Sequence, residues 1–237
     1  MALGLAVLSA GAGCGPKIII EEPSDAPEDG HPGTATATTE DHRVLVQAAA
    51  SAYADALAKR DAPTAATWVV PETFTLYEEL RSAALHADRE TLEQRSLLTV
   101  VMILEMRVRL SPEALEALDG RALFEHAVAE GLTGEGLERI DLSEVWVGEG
   151  PERGRAEIRV DGQTLLTLAR SGHERHDDPP ARWLVDVPEL LRRLAPTFEQ
   201  LASERVEVTS KFETARNFLS LRMDEEPDLA ALEAPRP

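Results

Sequence analysis

The chain has 237 residues, with 43 acidic and 24 basic side chains, a formal charge of −19, 43% apolar residues and 4% aromatics. Such a charge repels nucleic acid and anionic lipid headgroups, so neither is expected as an electrostatic partner. A single cysteine excludes an internal disulfide, and so few aromatics require a mainly aliphatic core.

Residues 1–13 read as a signal-peptide-like segment. An apolar run from Leu3 to Gly13 ends at Cys14, which is followed by Gly15, Pro16 and Lys17. Gly11, Ala12 and Gly13 are small enough for a peptidase pocket. The run is too short for a membrane span, which takes about 20 residues. Lys and Arg are absent before Cys14, so this reading places a few basic residues upstream of Met1, and Gly11 stands where Leu is usual. The pattern resembles the end of a bacterial lipoprotein signal peptide, which implies that Cys14 is lipidated and anchors the protein to a membrane of the cell envelope. By the same resemblance, Gly15 after the cysteine favours the outer membrane, facing the periplasm. The alternative is a cytoplasmic protein with an incidental cysteine.

Residues 14–42 read as an acidic, disordered tether. Glu21, Glu22, Asp25, Glu28, Asp29, Glu40 and Asp41 meet no Lys or Arg between 21 and 42, and Pro23, Pro27, Gly30, Pro32 and Gly33 break regular structure. Too little apolar surface is present to offset the entropy of ordering. Residues 222–237 read as a similar acidic tail. Residues 43–221 remain, enough for one domain with its own core.

Thr38 or Thr39 is placed to cap a first helix running to about Arg60, with Leu45, Ala49, Ala52, Tyr53, Ala56 and Leu57 inward. Pro63 and Pro71 interrupt the next segment. A helix is expected over 72–86, with Phe74, Tyr77, Leu80 and Ala84 inward, and another from the Asp88 cap to about Arg109. Thr99 is the only polar residue in 97–104, so that helix is expected at the buried centre. Ser111-Pro112-Glu113 is a helix start, Asp119-Gly120 an end, and a further helix over 121–130 stops at Gly131.

The pattern then changes to strands: 138–148, with a phase shift at Ser143-Glu144; 155–160, with Arg155, Glu157 and Arg159 outward; 163–170; and 182–187, ended by Pro188. Asp161-Gly162 is a hairpin turn. The sheet is therefore a four-stranded antiparallel meander. One long helix over 197–222 closes the chain, with Phe198, Leu201, Val208, Phe212, Ala215 and Leu219 at alternating three- and four-residue steps around Arg205. It is expected to cover the sheet of its own domain. The alternative is pairing in a homodimer or with a partner protein.

The stretch from Ser111 through Asp186 resembles the cone-shaped α+β fold of the nuclear transport factor 2 superfamily. The likeness extends to uncharacterised bacterial members whose last core strand reads Gly-x-Trp-x-x-Asp. Trp183 and Asp186 match that pattern, Ala181 stands where Gly is usual, and only helix replaces the hairpin many members carry after the second helix. The resemblance implies helices packed on the meander and, in some members, an internal pocket with a Tyr and Asp pair.

The chain lacks a phosphate loop, Ser elbow, His-Glu-x-x-His or Cys-x-x-Cys. His173, His176 and Asp177, with Asp178, are the residue types that hold metals, and a polar connector is the expected role. His86 and Asp88 suit helix ends. Tyr53, Tyr77, His126 and Trp183 are the candidates for an internal pocket, with Asp55 as the acid of such a set. Core packing competes for both tyrosines, and for Trp68, Trp146 and Trp183. No cofactor is expected. The leading expectation is an anchored, non-enzymatic module that binds a protein or small ligand; the alternative is an isomerase- or hydrolase-like domain with an internal pocket.

Overall fold

A computed structural model describes residues 39–133, 142, 144–148, 154–171, 182–204, 210–222 and 232. Cys14, the signal-like segment, the connector holding His173, His176 and Asp177, the Ser143 phase shift, Arg205 and Val208 lie outside the described residues.

The fold is α+β, with helices first, a four-stranded antiparallel sheet next and helices again at the end. The first helix, α1, spans Thr39–Ala58. Its buried stripe runs through Val46, Ala50, Tyr53 and Leu57, whereas Leu45 is 51% exposed. The expectation of an inward Leu45 fails because Val46, seven residues before Tyr53, lies almost two full turns back on the same line, whereas Leu45 is turned about 80° from it. Helix α2 (Ala62–Thr67) fills the segment that Pro63 was expected to break. That proline sits in its first turn, where no backbone N–H is needed, and Asp61 caps the end by accepting from the Thr64 amide at 3.2 Å.

Helix α3 spans Glu72–His86, α4 Arg89–Glu93 and α5 Leu97–Arg109. Two helices thus replace the single one expected from Asp88 to Arg109. Asp88 caps α4, but Ser96 starts α5 afresh by accepting from the Thr99 amide at 3.2 Å. Glu199 adds a carboxylate at that end, accepting from the Leu97 amide at 3.0 Å. As its composition requires, α5 lies at the centre, with Val100, Val101, Ile103 and Leu104 buried. Helices α6 (Pro112–Ala117) and α7 (Gly120–Ala129) follow, capped by Ser111 and Asp119. Gly120 lets α7 approach α3 closely: a Cβ there would lie 2.1 Å from the Phe74 carbonyl oxygen.

The sheet order is β1 (Glu144–Val147), β2 (Arg155–Val160), β3 (Gln163–Ser171), β4 (Arg182–Val185). Asp161 and Gly162 have φ of 51° and 75°, the positive values that a tight hairpin turn needs. Ala156 pairs with Leu168 and Ile158 with Leu166, which puts one buried face of the sheet toward the helices. Glu157, expected outward, is buried too. It accepts from Arg159 at 2.8 Å and Thr164 at 2.8 Å, and Arg193 lies 2.9 Å away. Burial opposes its ionisation, but these donors and charges outweigh that and hold its carboxyl below the usual range. Beyond β4, Val70 and Trp68 bond to Val185 from both sides at 3.0 and 2.8 Å and so cover the sheet edge.

Among the described residues, two helices rather than one follow the sheet over this stretch: α8 (Val187–Ser203) and α9 (Lys211–Arg222). Pro188 does not merely stop the meander; it lies in the first turn of α8, behind the Asp186 cap. The expected seam is divided between them. Phe212, Ala215 and Leu219 are buried against the domain itself, chiefly on α5 and α4 and not on the sheet. Phe198 on α8 meets Phe218 on α9 edge-on at 5.5 Å, and Leu201 is 48% exposed. The face offered for a homodimer is thus largely occupied within the chain.

One tail residue also belongs to the core. Leu232 is 1% exposed, and its carbonyl accepts from Arg107 at 2.7 Å. Arg107, itself 1% exposed, also donates to the carbonyls of Ala84 at 2.8 Å, Ala83 at 3.1 Å and Ala87. Residues 222–237 therefore do not all behave as a solvated tail. Leu232→Ala is expected to cost about 2–4 kcal/mol in urea unfolding, the range for a buried leucine. A change within about 0.5 kcal/mol, as at an ordinary surface site, would place Leu232 outside the core.

Candidate ligand cavity

A cavity of about 260 Å³ lies between α5, the sheet and the surrounding helices. Its lining comes from several elements because each turns one apolar stripe inward. From α5 the helical spacing brings Leu98, Val101, Met102, Glu105, Met106 and Arg109 to one side. Tyr53 and Leu57 come from α1, Tyr77 from α3, and Leu123, His126 and Ala127 from α7. Leu165 and Leu166 supply the β3 wall, and Leu190, Leu191 and Leu194 the α8 wall. Most of this surface is aliphatic or methionine.

Three of the four sequence candidates meet here: Tyr53, Tyr77 and His126. Trp183 does not. It is buried on β4 with its ring 5.9 Å from His42, edge-on, under the start of α1. Asp55 is also elsewhere, exposed on α1 and 3.7 Å from Lys59. Residues two apart on a helix do not face the same way, so Tyr53 and Asp55 cannot share a side. Asp186 caps α8, accepting from the Glu189 amide at 3.0 Å, and Asp88 caps α4 at 2.8 Å. Both are structural. Among the described residues, no cluster of three or more His, Cys, Asp or Glu suits a metal ion.

The polar groups of the cavity are of two kinds. Burial pushes the Tyr53 hydroxyl well above the usual phenol range, and the neighbouring Tyr77 adds to the effect. Burial also raises Tyr77, to about 12, although a hydrogen bond with Thr133 works the other way and the Glu105 charge adds a little. Both phenols thus stay neutral at physiological pH, as donors and acceptors and not as bases. Tyr77 is fixed from the other side by Phe124, edge-on at 5.3 Å. Glu105 and Arg109 form an ion pair at 3.2 Å with side chains 15% and 40% exposed. Sequence reasoning misses these two, with Thr133 and Leu132. A signal is present, since Glu105 and Arg109 continue the i, i+3, i+4 series of Leu98, Val101 and Met102.

Between α8 and β2 lies a second charged group, remote in kind from the cavity. Glu189 bonds to Arg192, Arg193 and Arg155, at 2.6, 2.8 and 2.6 Å. The bond from Arg192 outweighs burial and, with Arg193 and Arg155, draws its carboxyl down to about 2. With Glu157 it ties the start of α8 to the sheet, and so helps to set the wall that α8 gives the cavity.

No protein-family model matches the chain, and no curated protein or solved structure does so at a significant level. The family likeness read from element order gains nothing from these comparisons.

The only two tyrosines of the chain both face this cavity, which makes its burial measurable. The unfolded chain ionises them near pH ~10. Between there and about 12 the unfolded state binds fewer protons than the folded one, so stability falls as pH rises through that window. A native-state absorbance titration should stay flat past about pH 11 and then rise together with unfolding. A tyrosine titrating near ~10 in folded protein would contradict the geometry.

Proposed function

We propose that this protein is a lipid-anchored envelope module that binds a small, largely apolar ligand in the cavity beside α5. The cavity carries the reading: about 260 Å³, mainly aliphatic walls, and a few convergent polar groups. Ligand sites have this composition, and their volumes begin near ~300 Å³. Met102 and Met106 lie on the wall, and methionine adapts its shape to what it meets.

Binding is favoured over catalysis for a physical reason. A proton-transfer enzyme needs a base or acid poised near the working pH. Here both tyrosines are driven away from it, Asp55 points to solvent, and the Glu105 carboxylate is engaged by Arg109, which leaves the cavity's His126 without the paired acid or base that such a reaction uses. The anchor rests on the sequence around Cys14, and the acidic, breaker-rich stretch after it suits a spacer between membrane and domain. No helix of the described residues is long and apolar enough to cross a membrane.

Two measurements test the two halves. The full chain, expressed in a bacterial host behind a few added basic residues, should yield a mature N-terminus at Cys14 carrying acyl mass, and Cys14→Ser should abolish it. A product that keeps residues 1–13 and carries no acyl mass would end the anchor reading. Octanol, a neutral and largely apolar alcohol, should bind the full chain in calorimetry with an affinity that Met102→Trp reduces at least tenfold. Binding unchanged by that wall substitution would place the alcohol elsewhere.

A further inference from the structure

The cavity is not uniform along its length. Leu98 and Arg109 are eleven residues apart on α5, about 16 Å at ~1.5 Å per residue. Leu98, Val101 and Met102 form one end of that line, Glu105, Met106 and Arg109 the other. Tyr77 interacts with both Thr133 and Glu105, so the α3 hydroxyl and the residues after α7 also belong to the Arg109 end. The space beside α5 is therefore apolar toward Leu98 and polar toward Arg109.

On α5 that polar end carries one charge of each sign. Glu105 and Arg109 are one anion and one cation, 3.2 Å apart, beside the neutral hydroxyls of Tyr77 and Thr133. A ligand carboxylate entering here would gain Arg109 but face Glu105, in a protein of charge −19. A ligand ammonium would gain Glu105 but face Arg109. Either ion would also lose hydration on entering a site walled by leucine and methionine. A neutral group that both donates and accepts meets no such opposition, since donors and acceptors are both on offer.

Resting on the ligand-binding reading above, the geometry points to a single-chain amphiphile with an uncharged amide or hydroxyl head, its chain along α5 and its head at Glu105 and Arg109. A water-sized unit takes about 30 Å³, so the cavity suits roughly nine chain atoms. Octyl compounds match that number of atoms and allow the head to be varied alone.

Octanamide, octanoate and octylammonium are the probes, measured directly at pH 7.5 by calorimetry on the full chain. Octanamide should bind at least tenfold tighter than either ion. Glu105→Gln leaves Arg109 uncompensated and should improve octanoate at least tenfold relative to octanamide; Arg109→Gln should do the same for octylammonium. Circular dichroism of both variants confirms that they are folded. Equal or tighter binding of either ion to the unsubstituted protein overturns the assignment of the head while leaving the cavity reading in place. Preferences that ignore both substitutions also overturn it, because the head then lies elsewhere. Failure of octanol and of all three octyl compounds to bind removes both readings.

Discussion

A guanidinium buried away from solvent holds this domain in register. Arg107 reaches from α5 to the carbonyls of Ala83, Ala84 and Ala87, at the end of α3 where helical partners run out. A cation at a helix C-terminus is favoured by the backbone dipoles, and in a dry setting the hydrogen bonds matter more than the dipole. The fourth acceptor is Leu232, 125 residues away in sequence. One side chain therefore links α3, α5 and Leu232. Removing it would leave the buried carbonyls of Ala84, Ala87 and Leu232 without this donor, a cost of about 1–3 kcal/mol for each group left unsatisfied.

The same device recurs with opposite sign. Glu199 on α8 sits at the start of α5, and Glu93 at the end of α4 accepts from the Lys211 and Phe212 amides at the start of α9, at 2.9 and 3.2 Å. Burial resists ionisation of Glu93, yet Ser210 and those amides outweigh it and keep its carboxyl low. Acids at helix starts and a base at a helix end thus position the helices packed around α5. The consequence is a two-sided helix. The Val100, Ile103, Leu104 and Arg107 side is closed by α3, α9 and Leu232. The Leu98, Val101, Met102 and Glu105 side looks into the cavity. Rigid fastening on one side is what allows the other to remain unfilled, because a cavity costs stability that the closed core has to offset.

Much of the architecture is legible in the chain, for local reasons. The helix-then-meander order, the Asp161-Gly162 turn, the Ser111-Pro112 start and the central position of α5 follow from periodicity and capping chemistry. The departures also share a cause. Asp61-Ala62-Pro63 and Asp186-Val187-Pro188 are the same signal, an aspartate cap with proline in the first turn, and each proline passes for a breaker when the cap is overlooked. The Ser96 cap is hidden at the edge of an apolar run. Of the site, Tyr53, Tyr77 and His126 can be found from helix faces, but Trp183 cannot be told from them, since β4 is buried over most of its length. The burial of Glu157, Arg107 and Leu232 has no local signal at all. Each depends on partners far away in sequence, which periodicity cannot report.

The central claim is that α5 has one sealed and one receptive side, and methionine methyl groups report on this directly. The chain has four methionines: Met102 and Met106 line the cavity, while Met1 and Met223 lie outside the described residues. With ¹³C-methyl-methionine in the full chain, titration with octanamide should shift the Met102 and Met106 resonances together, saturably, and leave the other two in place. Shifts confined to Met1 or Met223, or no saturable shift at Met102 and Met106, would contradict the account.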